Sequence, residues 1–457
     1  MSESIETAAP KLKRSQYVGV LLAAICSAIA TGYIPNYINL YYTDTVGLSV
    51  GIIGTILMVC KITDGVSDIV MGMIIDRTHS RLGKARPWIL AGAAGLALSM
   101  FLLFHCPATL GTGAKIAFCF LFYFLANPFF GTMVSVSVGT LPYLITADSK
   151  QRTNIGVWRS IGSMLPVLLI GIMVPQMLQR MGESQHTYTV VTLIFCVLAL
   201  VSAVIAVALI RENVTERTAS NMLQKQSVGQ SLKYLFQNKY FIYLALGTIF
   251  YNLSSAPVAT YYAKYIFHNV GTMTWISLPS LLMVVLLPVA VPLVNKVGKR
   301  NAMCGGLVLA ALGNVLVFFA NESLAIFLVG RTIASLAVVP YFVALVPTTG
   351  EVCDYALWKA GKAMDGTIGS AVSMGEKIGI GLAAGISSLM LNQAGYDSAK
   401  AVINAAQPAS ALMMIRILMS IFPAVMFLLS AFFFWKINMK KAGIDSIQEE
   451  LREKGLR

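Results

Sequence analysis

Charge is what this sequence has least of. Only 12% of its 457 residues are Asp, Glu, Lys or Arg, about half the share of an ordinary soluble domain. That excludes a soluble enzyme and a disordered chain. The seven cysteines (Cys26, Cys60, Cys106, Cys119, Cys196, Cys304, Cys353) form no C-x-x-C pair and mostly lie in apolar runs. They read as small buried hydrophobes, not as a disulfide framework or a metal site. The four histidines, His79, His105, His186 and His268, fall at or near loops, which argues against an intramembrane metal site or histidine proton relay. No G-x-x-x-x-G-K-[ST] loop is present, so an ATP-driven pump is excluded. No nucleophile–base arrangement points to an enzyme, and no cofactor motif is seen. What the chain has instead is 57% hydrophobic residues and a mean hydropathy of +0.73, the profile of a polytopic membrane protein. Its net charge of +14 fits basic inner loops better than nucleic-acid binding.

A membrane-spanning helix needs about 20 apolar residues. Twelve such runs are read at roughly 17–42, 50–75, 87–105, 115–145, 155–179, 188–210, 240–267, 272–295, 302–320, 323–347, 366–393 and 411–437. They are continuously apolar and do not alternate with period two, so they predict an all-α protein and not a β-barrel. The first run is too long for a signal peptide and no small-residue cleavage site closes it, so it is read as a retained helix. With the N-terminus inside, the inner segments hold 25 Lys and Arg and the outer segments four. This asymmetry supports twelve spans with both termini on the inner, cytoplasmic side. The longest polar stretch, 211–239, divides the chain. The expected organisation is an N-terminal tail (1–16), a six-helix bundle (17–210), a central loop (211–239), a second six-helix bundle (240–437) and a C-terminal tail (438–457). Each half carries a basic link after its second helix, DRTHSRLGKARP (76–87) and KVGKRN (296–301), the weak repeat of a two-half secondary transporter.

The informative residues are charges where lipid is expected, because each costs about 2.5–3.5 kcal/mol to insert. The second helix carries Lys61, Asp64 and Asp68. At 100° per residue they share an arc of about 60°, and Asp64 lies about 20 Å from the helix start, near the midplane. Two carboxylates one turn apart stay ionised together only with a cation between them, and otherwise one takes up a proton. Either event is reversible cation binding, with Na⁺ or H⁺. The alternative is a fixed Lys61–Asp pair, which leaves the second Asp unexplained. Lys377, beside Glu376 on the eleventh helix, can tune the acidic pair or snorkel. Arg159, after Trp158, and Arg331 offer planar forks to carboxylates and hydroxyls, and Trp158 offers a ring face to a sugar. Tyr33, Asn36 and Tyr37 around Pro35, and Asn252 ahead of Pro257, coincide with helix-breaking prolines, as at the wall of a cavity. Each aromatic taken alone is equally well explained by packing.

Five segments carry a family resemblance: YYTDTVGLS (41–49), KITDGVSDIVMGMIIDRTHSRLGKARPW (61–88), VWR (157–159), YYAKY (261–265) and EVCDYALWKAGKAMDG (351–366). The second is specific, with D-x-x-x-D followed by G-x-x-x-D and R-x-G-K-x-R-P. Through nearly its whole length the chain resembles the glycoside–pentoside–hexuronide:cation symporters of the major facilitator superfamily. The resemblance implies twelve helices around an inner cavity and sugar uptake driven by Na⁺, H⁺ or Li⁺. It implies cation binding at Asp64 and Asp68 with Lys61 and Lys377 nearby, and sugar binding at Arg159. It assigns gating to the inner segments with Asp76, Arg77, Arg81, Lys84, Asp354 and Asp365. Two departures stand out. The stretch ICSAIATG in the first helix lacks the acid many members carry, and MVSVSVGTLPY in the fourth has Val134 and Ser135 where an Asp or Asn is common. With fewer acids and an additional Arg331, the substrate expected is one that tolerates a positive site, such as a glucuronide.

The sequence therefore predicts a monomeric, cation-coupled symporter that imports a sugar, glycoside or hexuronide by alternating access, with no partner beyond its substrate and the bilayer. Asp64 and Asp68 are the candidate cation ligands, including for Na⁺. Arg159, Trp158, Tyr33, Asn36, Tyr37, Asn252 and Arg331 are the candidate sugar contacts. A proton-coupled exporter or antiporter, a lysophospholipid-like amphiphile transporter and a non-transporting sugar sensor stay open as alternatives.

Overall fold

Lipid offers no hydrogen bonds, so each apolar run must satisfy its own backbone, and a helix does so within one segment. The computed structural model describes residues 12–146, 149–212, 238–360, 365–438 and 441–453. Among them there is no strand. The helices are α1 (Arg14–Thr45), α2 (Val50–Asp76), α3 (Arg86–Leu103), α4 (Thr112–Ile145), α5 (Ser149–Met181) and α6 (Gln185–Leu209). There follow α7 (Lys239–Leu253), α8 (Ala259–Tyr265), α9 (Met273–Val297), α10 (Lys299–Phe318), α11 (Leu324–Lys359), α12 (Asp365–Gln393), α13 (Ser398–Val402), α14 (Ala409–Lys436) and α15 (Lys441–Glu453). Ten of the described helices are long and apolar enough to cross a membrane, so the chain is an all-α, multi-pass membrane protein. Most of the expected central loop, 213–237, lies outside the described residues.

Three expectations are corrected. The run expected at 240–267 is two helices, because the chain leaves the helix at Ser254 and re-enters it at Ala259 across Pro257, whose ring cannot continue a helical ladder. The run expected to end at 347 continues as α11 to Lys359, with Pro347 inside the helix. The expected C-terminal tail contains a helix, α15.

The chain divides into two compact units. Unit 1 comprises 1–48 and 63–224, and unit 2 comprises 49–62 and 225–457. The division falls inside α2, which is one continuous helix. In unit 1, α1 packs on α5 and α6, and α3 on α6 and the middle of α4. An aromatic cluster fills its core. Tyr33 meets Phe104 and Phe195 at 4.7 and 5.4 Å between centroids, and Tyr41 meets Tyr188 at 5.0 Å. Buried phenols need partners. Tyr33 Oη lies 2.9 Å from Thr192 Oγ1, Tyr42 donates to the Leu103 carbonyl at 2.7 Å, and Tyr41 Oη accepts from the Cys106 N–H at 3.0 Å. In unit 2, α10 packs on α11 and α14, and α7 on α12 and α14. Its core centres on Tyr251 stacked over Tyr341 at 3.9 Å, with Phe434 5.6 Å from Tyr341. Outward faces remain apolar, with Leu98 and Val289 about two-thirds exposed, as a lipid-facing surface requires. All seven cysteines are free.

Helix association in lipid relies on close packing, because burial gains little over contact with acyl chains. Gly162 of α5 shows this. A methyl group there would lie 2.3 Å from the Leu21 carbonyl oxygen of α1. Gly162→Val should therefore separate α1 from α5 and cost about 1–3 kcal/mol or more. In a melting experiment on detergent-purified protein it should lower the transition by several degrees. Gly139→Ala, where the added methyl meets open space, should leave it unchanged.

Candidate functional site

The carboxylates of α2 begin the site. Asp64 is 6% exposed, and its Oδ1 accepts a hydrogen bond from Thr132 Oγ1 at 2.8 Å. Ser67 Oγ donates to the Asp64 carbonyl at 2.9 Å and lies 3.2 Å from Thr132 Oγ1. Asp68 follows one turn later, half-buried. The local fold of α4 explains Thr132. Residues Leu125–Gly131, including Pro128, form a π-helical turn immediately before it. Such turns shift the register of the residues after them and are frequent at functional sites. A helical threonine usually bonds back to its own preceding turn, whereas Thr132 reaches α2 instead. The result is a cluster of carboxylate and hydroxyl oxygens, the donor set of a hard cation. Among the described residues no three His, Cys, Asp or Glu converge on a metal position, so the cluster does not resemble a transition-metal centre.

Lys61 sits on the part of α2 that belongs to unit 2, and there it packs on α12. A methyl group on Gly381 would lie 2.9 Å from Lys61 Cβ, and one on Gly385 would meet Met58. Ser49 Oγ donates to Asn392 Oδ1 at 3.0 Å along the same seam. Lys377 precedes Gly381 by one turn on the same helix.

Unit 2 also contains a cavity of about 220 Å³ that brings Asn252 and Arg331 together with Tyr251, Ser255 and Ser280. The break after α7 supplies Ser255. Asn252 Nδ2 donates to the Thr248 carbonyl at 2.9 Å, which fixes its side chain. Arg331 interacts electrostatically with Tyr251, and its Nε is buried with no hydrogen-bond partner among the described residues.

Other predicted residues are placed differently. Tyr33 and Tyr37 are at most 1% exposed and lie in the aromatic core of unit 1, their rings 5.6 Å apart. This corrects their reading as sugar contacts: the aromatic spacing around Pro35 reflects packing. Asn36 is exposed and donates to the Gly32 carbonyl at 2.6 Å. Trp158 and Arg159 are exposed on α5, with Trp158 6.3 Å from the Tyr17 ring.

Of the gating candidates, Arg77 and Arg81 are exposed. Lys84 lies in a turn organised by a residue that sequence reasoning missed. Glu212 accepts from the backbone N–H groups of Lys84 at 2.6 Å and of Ala85 and Arg86 at 3.1 Å each. A carboxylate there satisfies the orphan donors of the α3 N-terminus and complements its dipole. Arg86 in turn donates to the Val207 carbonyl at 3.0 Å. Asp354 is buried, and its Oδ2 accepts from Gln448 of α15 at 2.8 Å. The side chains of Asp76 and Asp365 lie outside the described residues. Thr132 was also missed. The signal available was the Asn-Pro in mid-helix, which marked the break but not the residue it redirects.

Comparison with known proteins agrees with this architecture. A family model described as MFS/sugar transport protein matches residues 17–441. An isoprimeverose transporter of Lactiplantibacillus pentosus is 28% identical, over 89% of this chain and 85% of the relative. A glucuronide carrier protein homolog of Escherichia coli is 24% identical, over 92% and 91%. A putative glycoside/cation symporter of the same organism is 27% identical, over 85% of this chain and 84% of the relative. Among solved structures, a mutant of the nucleoside transporter NupG superposes with a TM-score of 0.68 at 14% identity, covering 93% of this chain and all of that one. A D-xylose-proton symporter superposes with a TM-score of 0.62 at 15% identity, covering 94% and 98%. These two likenesses establish the fold. With the family model spanning almost the whole chain, the protein belongs to the MFS/sugar transport family and, as its α2 motif implied, to the glycoside–pentoside–hexuronide:cation symporters.

Proposed function

We propose that this protein imports a sugar or glycoside together with Na⁺ or H⁺ by alternating access, with Asp64, Asp68 and Thr132 as the core of the cation site. The observation that carries this reading is the buried Asp64 carboxylate hydrogen-bonded to Thr132, one turn from a second carboxylate. Side chains one turn apart sit about 6 Å from each other. At an effective dielectric of about 20, two anions at that distance repel by about 3 kcal/mol. Relieving that repulsion is worth about a hundredfold in ion affinity. The hydroxyls of Thr132 and Ser67 give a desolvated Na⁺ further oxygens, while H⁺ needs only one carboxylate. Ion binding that differs between the two access states then biases the transporter toward the sugar-binding one. The relatives named as a glycoside/cation symporter and as an isoprimeverose transporter support this substrate class.

Arg331 and Asn252 in the unit 2 cavity are sugar contacts of this reading, and Trp158 and Arg159, exposed on α5 of unit 1, are candidates taken separately from the family resemblance. An arginine at membrane depth with no bonded carboxylate among the described residues favours a substrate that brings its own negative charge. A relative is a glucuronide carrier homolog, and an acidic sugar fits the same chemistry. In this reading the basic segment around Arg77, Arg81 and Lys84 is a gating segment of unit 1, and the Asp354 end of α11 is one of unit 2. The protein works as a monomer in a bacterial inner membrane with both termini cytoplasmic, as the 25-to-4 asymmetry of basic residues indicates.

Uptake of labelled neutral and acidic sugars into vesicles, with and without Na⁺ and pH gradients, tests this reading. Gradient-driven uptake should be lost in Asp68→Asn. Thr132→Ala should raise the half-saturating Na⁺ concentration about tenfold where Na⁺ is the coupling ion, because it removes an oxygen ligand. With H⁺ it should lower the half-saturating proton concentration, because the lost hydrogen bond had favoured the ionised Asp64. Thr132→Ser should restore the native value in either case. Uptake that ignores gradients and both variants would refute the cation site. Outward transport of substrate would favour an exporter, and transport of an amphiphile but of no sugar would favour a lipid transporter. Binding without transport would identify a sensor.

Arg331→Gln separates the substrate classes. It should raise the KM for an acidic sugar about tenfold or more and change that for its neutral counterpart by less than about threefold. Equal effects on both would remove Arg331 from the recognition of charge.

A further inference from the structure

A second cavity in unit 2, about 420 Å³ in volume, lies away from Arg331 at the start of α10. Its polar side includes Lys299, Arg300, Asn301, Asn438 and the carboxylate of Glu351, and its apolar side Val294, Phe434, Ile437 and Ile444. The chemistry of the polar side is that of an anion site. Lys299 is ion-paired with Glu351, so that carboxylate is already compensated and Arg300 supplies the net charge. Arg300 Nη1 donates to Asn438 Oδ1 at 2.7 Å, and its guanidinium lies 5.4 Å from the centre of the Trp435 ring. These contacts hold it in place, while its Nε is buried with no hydrogen-bond partner among the described residues. The cavity also borders the first turn of the 20-residue helix α10. Gly298 precedes that turn with φ of +90° and contributes no capping side chain. The first backbone N–H groups of a helix have no partner within it, and its dipole favours an anion there.

The other wall says what kind of anion. Phe434, Ile437 and Ile444 would gain nothing from a small hydrated ion. Just outside, Trp435 of α14 is 53% exposed and Val297 of α9 45% exposed, and Lys436 lies 5.5 Å from the Trp435 ring. An exposed Trp beside Lys at the end of a spanning helix is characteristic of the membrane–water interface. We propose that this cavity holds the phosphodiester headgroup of an anionic phospholipid. Arg300 and the α10 N-terminus meet the phosphate, and the Phe434–Ile437 wall meets the glycerol and first methylenes. Basic pockets between helices at the interface are suited to such headgroups. The site is independent of the transport reading, since none of its residues belongs to the cation or sugar positions. Ile444 belongs to α15, so an occupied cavity also braces the helix that bonds Asp354 and, through Glu450 Oε2, Trp358 Nε1 at 2.8 Å.

The test uses full-length protein purified in a neutral detergent, with phosphatidylglycerol, phosphatidylcholine or inorganic phosphate added. Binding is read by native mass spectrometry and by the melting temperature. Phosphatidylglycerol should bind about tenfold more tightly than phosphatidylcholine, and that preference should vanish in Arg300→Gln. Asn301→Asp provides the variant that keeps its fold: a carboxylate in the first turn supports the helix but repels a phosphate, and it too should abolish the preference. Equal binding of the two lipids by the native protein, or a preference that survives both variants, would overturn the proposal. Inorganic phosphate that stabilises as strongly as phosphatidylglycerol and displaces it would overturn the lipid as source and leave a soluble phosphate ester.

Discussion

A charge in the hydrocarbon layer must be compensated by something, and this constraint organises the molecule. The aromatic core of unit 1 obeys it at the level of single phenols, with hydroxyls finding Thr192, the Leu103 carbonyl and the Cys106 amide. The ends of helices obey it through Glu212 on the α3 N-terminus and through α15 on Asp354. A few further ionisable groups stand at membrane depth, on α2, α11 and α12. A buried charge is weak evidence for stability, because an apolar residue would fold more cheaply there; the proposed transport function gives these charges a role.

Helix α2 carries the costliest of these charges. Within unit 1, Asp64 is buried and accepts from Thr132 of α4; within unit 2, Lys61 packs against Gly381 of α12. The Thr132 contact depends in turn on the π-helical turn before it, which Pro128 occupies. A straight α4 would rotate Thr132 away from α2, so a local irregularity sets the geometry of the Thr132–Asp64 hydrogen bond.

Much of this was legible in the sequence, for a physical reason. Apolar runs of bilayer length can be little but helices, so element positions followed from hydropathy. The α2 acids stood out because charge is scarce there. The features that stayed hidden depend on register or on long-range contact. Thr132 looks like any helical threonine until the π turn shifts it. Tyr33 and Tyr37 have the same spacing whether they line a cavity or pack in an aromatic core, as Tyr33 does on Phe104 and Phe195. Glu212 is one charged loop residue among several, and only folding brings it to the α3 N-terminus. The run read at 323–347 continues as helix to Lys359, and the added turns carry Asp354 and Trp358, which α15 engages. Sequence shows which residues are costly to bury, but not which partner each one finds.

The segregation of the remaining charges bears on energetics. Asp64 and Asp68, the proposed cation ligands, belong to unit 1, and Arg331 lines a cavity in unit 2. Moving one positive charge across a membrane at about 100 mV is worth about 2.3 kcal/mol. A neutral sugar carried with one cation collects all of it, so the membrane potential adds about fiftyfold to accumulation. An acidic sugar carried with one cation is electroneutral and collects none, and its accumulation follows the ion gradient alone. Two carboxylates on one turn of α2 offer a way out, since both can be neutralised at once, by two protons or by one proton and one metal ion. An acidic substrate with two cations regains the full electrical contribution. If Arg331 recognises an anionic sugar, the second carboxylate is then more than a helper to the first: it is what keeps the membrane potential useful to the transporter.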